Sequence, residues 1–327
     1  MINATAVNTI DYLAQLSVYE LLENPYPRWS DGRYFTPTND QAIAYTEISN
    51  LIIQKPTENS YVLLGESGMG KTLLAKRLVD MANKGQHSHA AGIYFASGEL
   101  TQAKVLKKIF ARLDLPSEPT IETRLQALQK YLISRNQADE KFSLFLAIDG
   151  KPSFEAFKLF LEIVRWQYLN MVSPEERDAM SLSEIGILQN HSFFQLLFTG
   201  YPLNNLFSPI PKYPGFSVFI QKILTISPLY RPNVAPFLEG QAMRAGAKRA
   251  LFDKAAVLKL AAVTSNLRKL NEHAEMCVEL MISREEDLIT EGILNEVILL
   301  HELIRFENKP KASKLQPSLD FLAGHTT

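Results

Sequence analysis

The stretch that most limits what this chain can fold into is Gly65-Glu66-Ser67-Gly68-Met69-Gly70-Lys71-Thr72. It follows the apolar run Tyr61-Val62-Leu63-Leu64 and opens into a segment, Leu73 to Met81, whose apolar residues recur at helical spacing. Strand, glycine loop and helix in that order give the pattern G-x-x-x-x-G-K-[ST] its meaning as a phosphate loop. The glycines let backbone N–H groups turn inward, and the helix beginning at the lysine aims its N-terminal partial charge at the same point. The cradle is therefore expected from Gly65 to Leu73. Lys71 would reach the β- and γ-phosphates, and the Thr72 hydroxyl would ligate Mg²⁺. The expected ligand is a nucleoside triphosphate, ATP with Mg²⁺.

A chain of 327 residues suits about two compact units. Hydrophobic residues make up 46% and charged residues 21%, enough apolar content for a sizeable core. Lys and Arg number 34 against 35 Asp and Glu, so no global basic field points to nucleic acid, although a local patch stays open. The single cysteine, Cys277, excludes an intrachain disulfide, and its apolar surroundings suit a small core residue rather than a nucleophile. No apolar run approaches the roughly 18–20 residues of a membrane span. Asp11 and Glu20 stand where a signal peptide needs a basic start and an apolar centre. A soluble protein of the reducing cytoplasm is expected.

Along the chain, residues 3–24 read as an amphipathic helix ended by Asn24-Pro25-Tyr26-Pro27. An aromatic-rich loop follows, and Thr38 caps a helix running to about Gln54. Five strands are expected at Tyr61–Leu64, Ala91–Ala96, Phe142–Asp149, Phe193–Gly200 and Ile223–Ile226, with helices between them, among them residues 153–171. Strands apolar on both faces and alternating with helices imply an α/β fold, a parallel sheet covered on both sides. From about residue 232 only helical patterns remain, at 233–246, 253–264, 267–283 and 289–306. The expected organisation is an N-terminal helix and loop (1–40), a P-loop α/β domain (41–230), an all-α lid (231–306) and a loose tail (307–327).

Phosphate chemistry needs a second carboxylate beside the metal, at the end of a neighbouring apolar strand. Asp149 is placed that way, although a residue capping the next helix looks the same. Many ATPases of this shape carry a Glu directly after that Asp to deprotonate the attacking water. Here the position is Gly150, so slow hydrolysis is expected unless Glu155, Glu162 or a partner substitutes. Thr199 closes the fourth strand with a hydroxyl fit to sense the γ-phosphate, or as an ordinary strand-end threonine. Arg268, at the start of a lid helix, is placed to fold back over the nucleotide, or to stay on the surface.

Taken together these residues resemble an AAA+ ATPase of the general-secretion-pathway-A (ExeA/GspA-like) type, over roughly residues 18–300. Asn24-Pro25-Tyr26 is similar to the family's Asn-Pro-Phe, and Gly65–Thr72 to its Walker A loop. Ile148-Asp149 resembles its Walker B end, Leu197 to Leu203 its sensor-1 strand and turn, and Ser265 to Asn271 its sensor-2 segment. The resemblance makes Lys71, Asp149, Thr199 and Arg268 the candidate catalytic set, with Thr72 and Asp149 on the metal. Two departures stand out. Asp149-Gly150-Lys151-Pro152 replaces Asp-Glu-Ala-Gln, and Lys222 replaces an arginine whose planar fork a lysine lacks.

The resemblance also implies a homo-oligomer, ring or helical filament, with ATP at the subunit junction. Arg165, Arg177 and Arg231 are all available as the trans-acting arginine. Two uses follow. One is an ATPase serving a secretion or pilus machine through a membrane partner. The other is a transposition regulator of the TnsC/TniB/MuB kind that coats duplex DNA and recruits a transposase. Lys104, Lys107, Lys108 and Arg112, at helical spacing, suit the second by meeting phosphates, or form a plain solvated face. Recruitment from the cytoplasm to the inner membrane or to DNA follows accordingly.

Overall fold

Five short apolar runs pair into one parallel sheet: β1 (Ser60–Leu64), β2 (Ala90–Phe95), β3 (Ser143–Asp149), β4 (Phe194–Thr199) and β5 (Lys222–Thr225), in the order β2-β3-β4-β1-β5. The structure is a computed structural model and describes residues 9–26, 37–54, 60–84, 90–96, 100–138, 142–150, 153, 155–156, 158–160, 194–199 and 222–307. Nine helices are labelled among the described residues. Five precede or interleave the strands: α1 (Thr9–Val18), α2 (Asn39–Gln54), α3 (Lys71–Lys84), α4 (Gln102–Arg112) and α5 (Ile121–Ala138). Four follow the sheet: α6 (Val234–Arg244), α7 (Lys254–Val263), α8 (Leu267–Ser283) and α9 (Glu291–Glu307). No helix among the described residues is long and apolar enough to cross a membrane.

The period of two along each strand divides the core between the two faces of the sheet. Leu144, Leu146 and Ile148 of β3, with Phe194, Leu196 and Phe198 of β4, pack against Val105, Leu106, Ile109 and Phe110 of α4. The intervening Phe145, Ala147 and Leu197 face α2 and α3, where Ile48, Leu74 and Leu78 cover them. Both faces are thus dry, as a parallel sheet requires. Residues 155–156 and 158–160 are helical and bury Ala156, Leu159 and Phe160 on the α4 side. The rest of the expected helix at 153–171 lies outside the described residues.

A second core joins the four C-terminal helices with the N-terminal segment: Leu16, Leu21 and Tyr26 pack with Phe237, Leu238, Phe252, Leu270 and Cys277. Tyr26 sits edge-on to Phe252 at 5.8 Å and donates its hydroxyl to the Leu238 carbonyl at 3.0 Å. Burial pushes the Cys277 thiol up to about 12, which leaves it an inert core residue at neutral pH. The first helix ends sooner than the prolines alone require. Glu20 takes a left-handed φ of 61°, and Leu21 N–H returns to the Leu16 carbonyl at 3.0 Å, closing the helix at Val18.

Candidate functional site

Parallel pairing brings three strand ends to one edge. Asp149 is the register partner of Thr199, and Leu63, two residues before the glycine loop, is the partner of Thr199 on its other side. The loop after β1 therefore opens beside the carboxylate that ends β3. Ligands of open parallel sheets bind at such carboxyl ends.

Asp149 is held by three hydroxyls. Its Oδ2 accepts from Thr72 Oγ1 and from Tyr94 Oη, each at 2.6 Å, and its Oδ1 accepts from the fully buried Thr199 Oγ1 at 2.5 Å. The Lys71 ammonium folds back on its own loop, donating to the Gly65 and Glu66 carbonyls at 2.6 and 2.7 Å. Burial lowers the Lys71 pKa most. The Asp149 carboxylate opposes that, and the positive charge of Arg268 adds to the lowering.

Three contacts hold the outside of the loop. Asn266 Nδ2 donates to the Ser67 carbonyl at 2.7 Å, Arg268 N–H to the Gly68 carbonyl at 3.1 Å, and Gln41 Nε2 to the Met69 carbonyl at 2.9 Å. Asn266 serves twice, because its Oδ1 also caps α8 by accepting from Arg268 and Lys269 N–H. Gln41 is positioned by a capping box at the start of α2: its N–H donates to Thr38 Oγ1, and its Oε1 accepts from Thr38 N–H. In a trans peptide the N–H points opposite the preceding carbonyl. Fixing the Ser67 and Met69 carbonyls outward therefore turns the Gly68 and Gly70 N–H groups away from Asn266 and Gln41. The N–H groups of Lys71, Thr72 and Leu73 precede the first intrahelical bond of α3, from Leu74 N–H to the Gly70 carbonyl at 2.9 Å.

These features fit a Mg²⁺–triphosphate. Donor N–H groups converge at a helix N-terminus, one ammonium stands among them, and a hydroxyl and a carboxylate supply the hard oxygen ligands that Mg²⁺ takes. Among the described residues no group of three or more His, Cys, Asp or Glu side chains forms a separate metal cluster.

Gly150 has φ +106°, a left-handed conformation that L side chains rarely adopt, while its N–H donates to the Thr199 carbonyl at 3.0 Å. The backbone, and not only the missing side chain, thus sets this position apart from a glutamate. Glu155 is exposed, and Glu162 lies outside the described residues.

Of the basic residues on α4, Lys104 and Lys107 are exposed, Lys108 lies over the Phe95 ring at 5.7 Å from its centroid, and Arg112 donates to Asn83 Oδ1 at 2.5 Å. Arg112 is exposed as well, and Lys108 is half-buried. Lys222 on the edge strand pairs with Glu47 at 2.5 Å. Arg231 is exposed, while Arg165 and Arg177 lie outside the described residues. Tyr94, Gln41 and the loop contact of Asn266 were not singled out by sequence. Only Gln41 carried a local signal, the Thr38-x-x-Gln41 capping box.

Residues 54–202 match the family model AAA_22, described as an AAA domain. No curated protein matches the sequence. Among solved structures, the Aeropyrum pernix ORC2 protein in ADPNP-ADP complexes aligns with a TM-score of 0.58 at 15% identity, covering 86% of this chain and 74% of that one. Cdc6p from Pyrobaculum aerophilum aligns with a TM-score of 0.57 at 13% identity, covering 80% and 67%. The Aeropyrum pernix ORC1 protein in complex with DNA aligns with a TM-score of 0.54 at 16% identity, covering 88% and 73%. At these identities the likeness is one of fold.

Proposed function

From the AAA+ P-loop NTPase fold of this chain, we propose an ATP-binding switch or assembly ATPase that oligomerises when loaded and hydrolyses slowly on its own. The observation that carries this reading is the convergence of Thr72, from the end of the phosphate loop, and Thr199, from β4, on Asp149. In this reading residues 41–230 form the nucleotide body, 231–306 its lid, 1–40 an N-terminal segment and 307–327 a tail.

The loop N–H groups and Lys71 hold the phosphates, and Thr72 with Asp149 holds Mg²⁺. A bound Mg²⁺ would neutralise charge on the phosphate oxygens. In this reading Thr199, whose buried hydroxyl holds Asp149 Oδ1, senses the γ-phosphate or its water through that carboxylate, and Arg268 carries that state to the lid. A cavity of about 150 Å³ between Thr38 and Asn39 on one side and Leu229, Asn233 and Phe237 on the other suits the base. Both of its walls lead to the loop, through Gln41 to Met69 and through the Leu229 N–H bond to Ser265 beside Asn266.

The use we favour is service to a secretion or pilus machine through a membrane-bound partner. The exposed Lys104 and Lys107 support a second use, coating duplex DNA in a transposition complex. The DNA-bound ORC1 neighbour makes that second use worth testing directly. Light scattering of the full chain with ATP, with a non-hydrolysable analogue and without nucleotide tests the switch. A mass that rises only with triphosphate is expected, and an unchanged mass in all three would contradict it. Adding labelled duplex DNA at two salt concentrations separates the uses: salt-steep, ATP-dependent binding selects DNA coating.

Slow hydrolysis has a specific corollary. Gly150→Glu is expected to cost about 1–2 kcal/mol through its left-handed φ and to leave turnover near the wild-type level, because a strained backbone misdirects the new carboxylate. Phosphate release and a melting curve check both halves. A large gain in turnover would show that the missing carboxylate alone limits the rate.

A further inference from the structure

Asp149 has one donor that the phosphate-loop pattern does not ask for. Tyr94 comes from β2, one strand further along the sheet, yet its hydroxyl reaches the same Oδ2 that Thr72 holds, at the same 2.6 Å. In register Tyr94 pairs with Ala147, so its side chain lies on the α3 face of the sheet, where it packs against the core of Leu74 and Leu78. The Lys76 ammonium, one turn beyond Thr72 on α3, stands over the ring at 5.3 Å from its centroid. The ring is therefore gripped by sheet, helix and cation, and its one hydroxyl is spent on the carboxylate.

We propose that Tyr94 is a positioning residue for the metal: it fixes Asp149 Oδ2 beside Thr72 and so sets how tightly Mg²⁺ joins the bound nucleotide. This rests on the nucleotide reading above. A carboxylate next to a metal turns about its side-chain torsions unless outer partners hold it, and losing such a partner costs about 10- to 100-fold in metal affinity. Thr199 holds Oδ1 from β4, and Thr72 must share its hydroxyl oxygen with the metal, which leaves Tyr94 as the rigid partner of Oδ2. The hydroxyl acts only through Asp149; it is not itself placed as a ligand.

Tyr94→Phe keeps the ring and its packing and removes only the donor. The test follows a fluorescent ATP analogue bound to the full chain, first in EDTA and then while Mg²⁺ is titrated, with Mn²⁺ as a second probe read by its paramagnetic signal. The expected result is unchanged affinity in EDTA, an unchanged melting midpoint without ligand, and a metal midpoint shifted upward by about 10- to 100-fold. An unshifted midpoint for both metals would overturn the proposal. So would an equal loss with and without metal, which would make Tyr94 a structural residue only. If the wild-type chain bound no nucleotide in any condition, the nucleotide reading itself would fall and this inference with it.

Discussion

Lys71→Ala is expected to weaken ATP binding by about 30- to 5,000-fold, the range for truncating one member of a partly buried charge pair (about 2–5 kcal/mol). In the structure the ammonium rests on the Gly65 and Glu66 carbonyls, so it is already directed into the loop, and burial makes its charge costly to keep without a partner. A triphosphate supplies that partner. The fold should barely notice the change, because among the described residues the Lys71 ammonium bonds to its own loop, and its neighbours Leu74 and Ala75 carry the packing of α3. Competition against a fluorescent nucleotide measures the affinity, and a melting curve guards against unfolding. Wild-type affinity in a folded variant would mean that the loop does not hold phosphate.

Gly68→Ala is expected to cost nearly as much, for a different reason. Gly68 has φ +86°, which costs a side chain about 1–2 kcal/mol, and a Cβ there would lie 2.5 Å from Asn266 Oδ1 and 2.9 Å from Arg268 Cβ. Strain and clash fall where the start of α8 meets the loop, so a loss of about 10- to 300-fold in nucleotide affinity is expected, with the lost Asn266 hydrogen bond adding about 0.5–1.5 kcal/mol. Asn266→Ala isolates the second part. It removes the grip on the Ser67 carbonyl and the cap of α8, and should cost about 1 kcal/mol of stability with a smaller loss of affinity. The double variant should be non-additive, because removing the Asn266 amide makes room for the new methyl. Strict additivity would show that the loop and α8 do not communicate through this contact.

The strands and the phosphate loop were legible because their signals are local. β1, β3 and β4 are apolar on both faces, and the loop's glycines, lysine and threonine sit at fixed spacing. Asp149 followed from its place at the end of the most apolar strand. What remained hidden depends on contacts between distant residues. Asn266 meets Ser67 across 199 positions, and Tyr94 meets Asp149 across 55. The pairing of β2 with β3 brings Tyr94 to Asp149, and the start of α8 brings Asn266 to the loop; neither placement has a local mark in the sequence. Gly150 was legible as a missing glutamate but not as a backbone with positive φ. The end of α1 was misplaced because Glu20 adopts a conformation that propensity assigns to glycine or asparagine.

The most direct test of the central claim is calorimetric titration of ATP into the full chain, with and without Mg²⁺. The account predicts saturable binding near one nucleotide per chain, tightened by Mg²⁺, and a melting midpoint that rises with ligand as mass action requires, by about 2.7 kcal/mol of stability at a hundredfold excess over Kd. No heat and no shift in melting at millimolar ATP, with or without the metal, would contradict it.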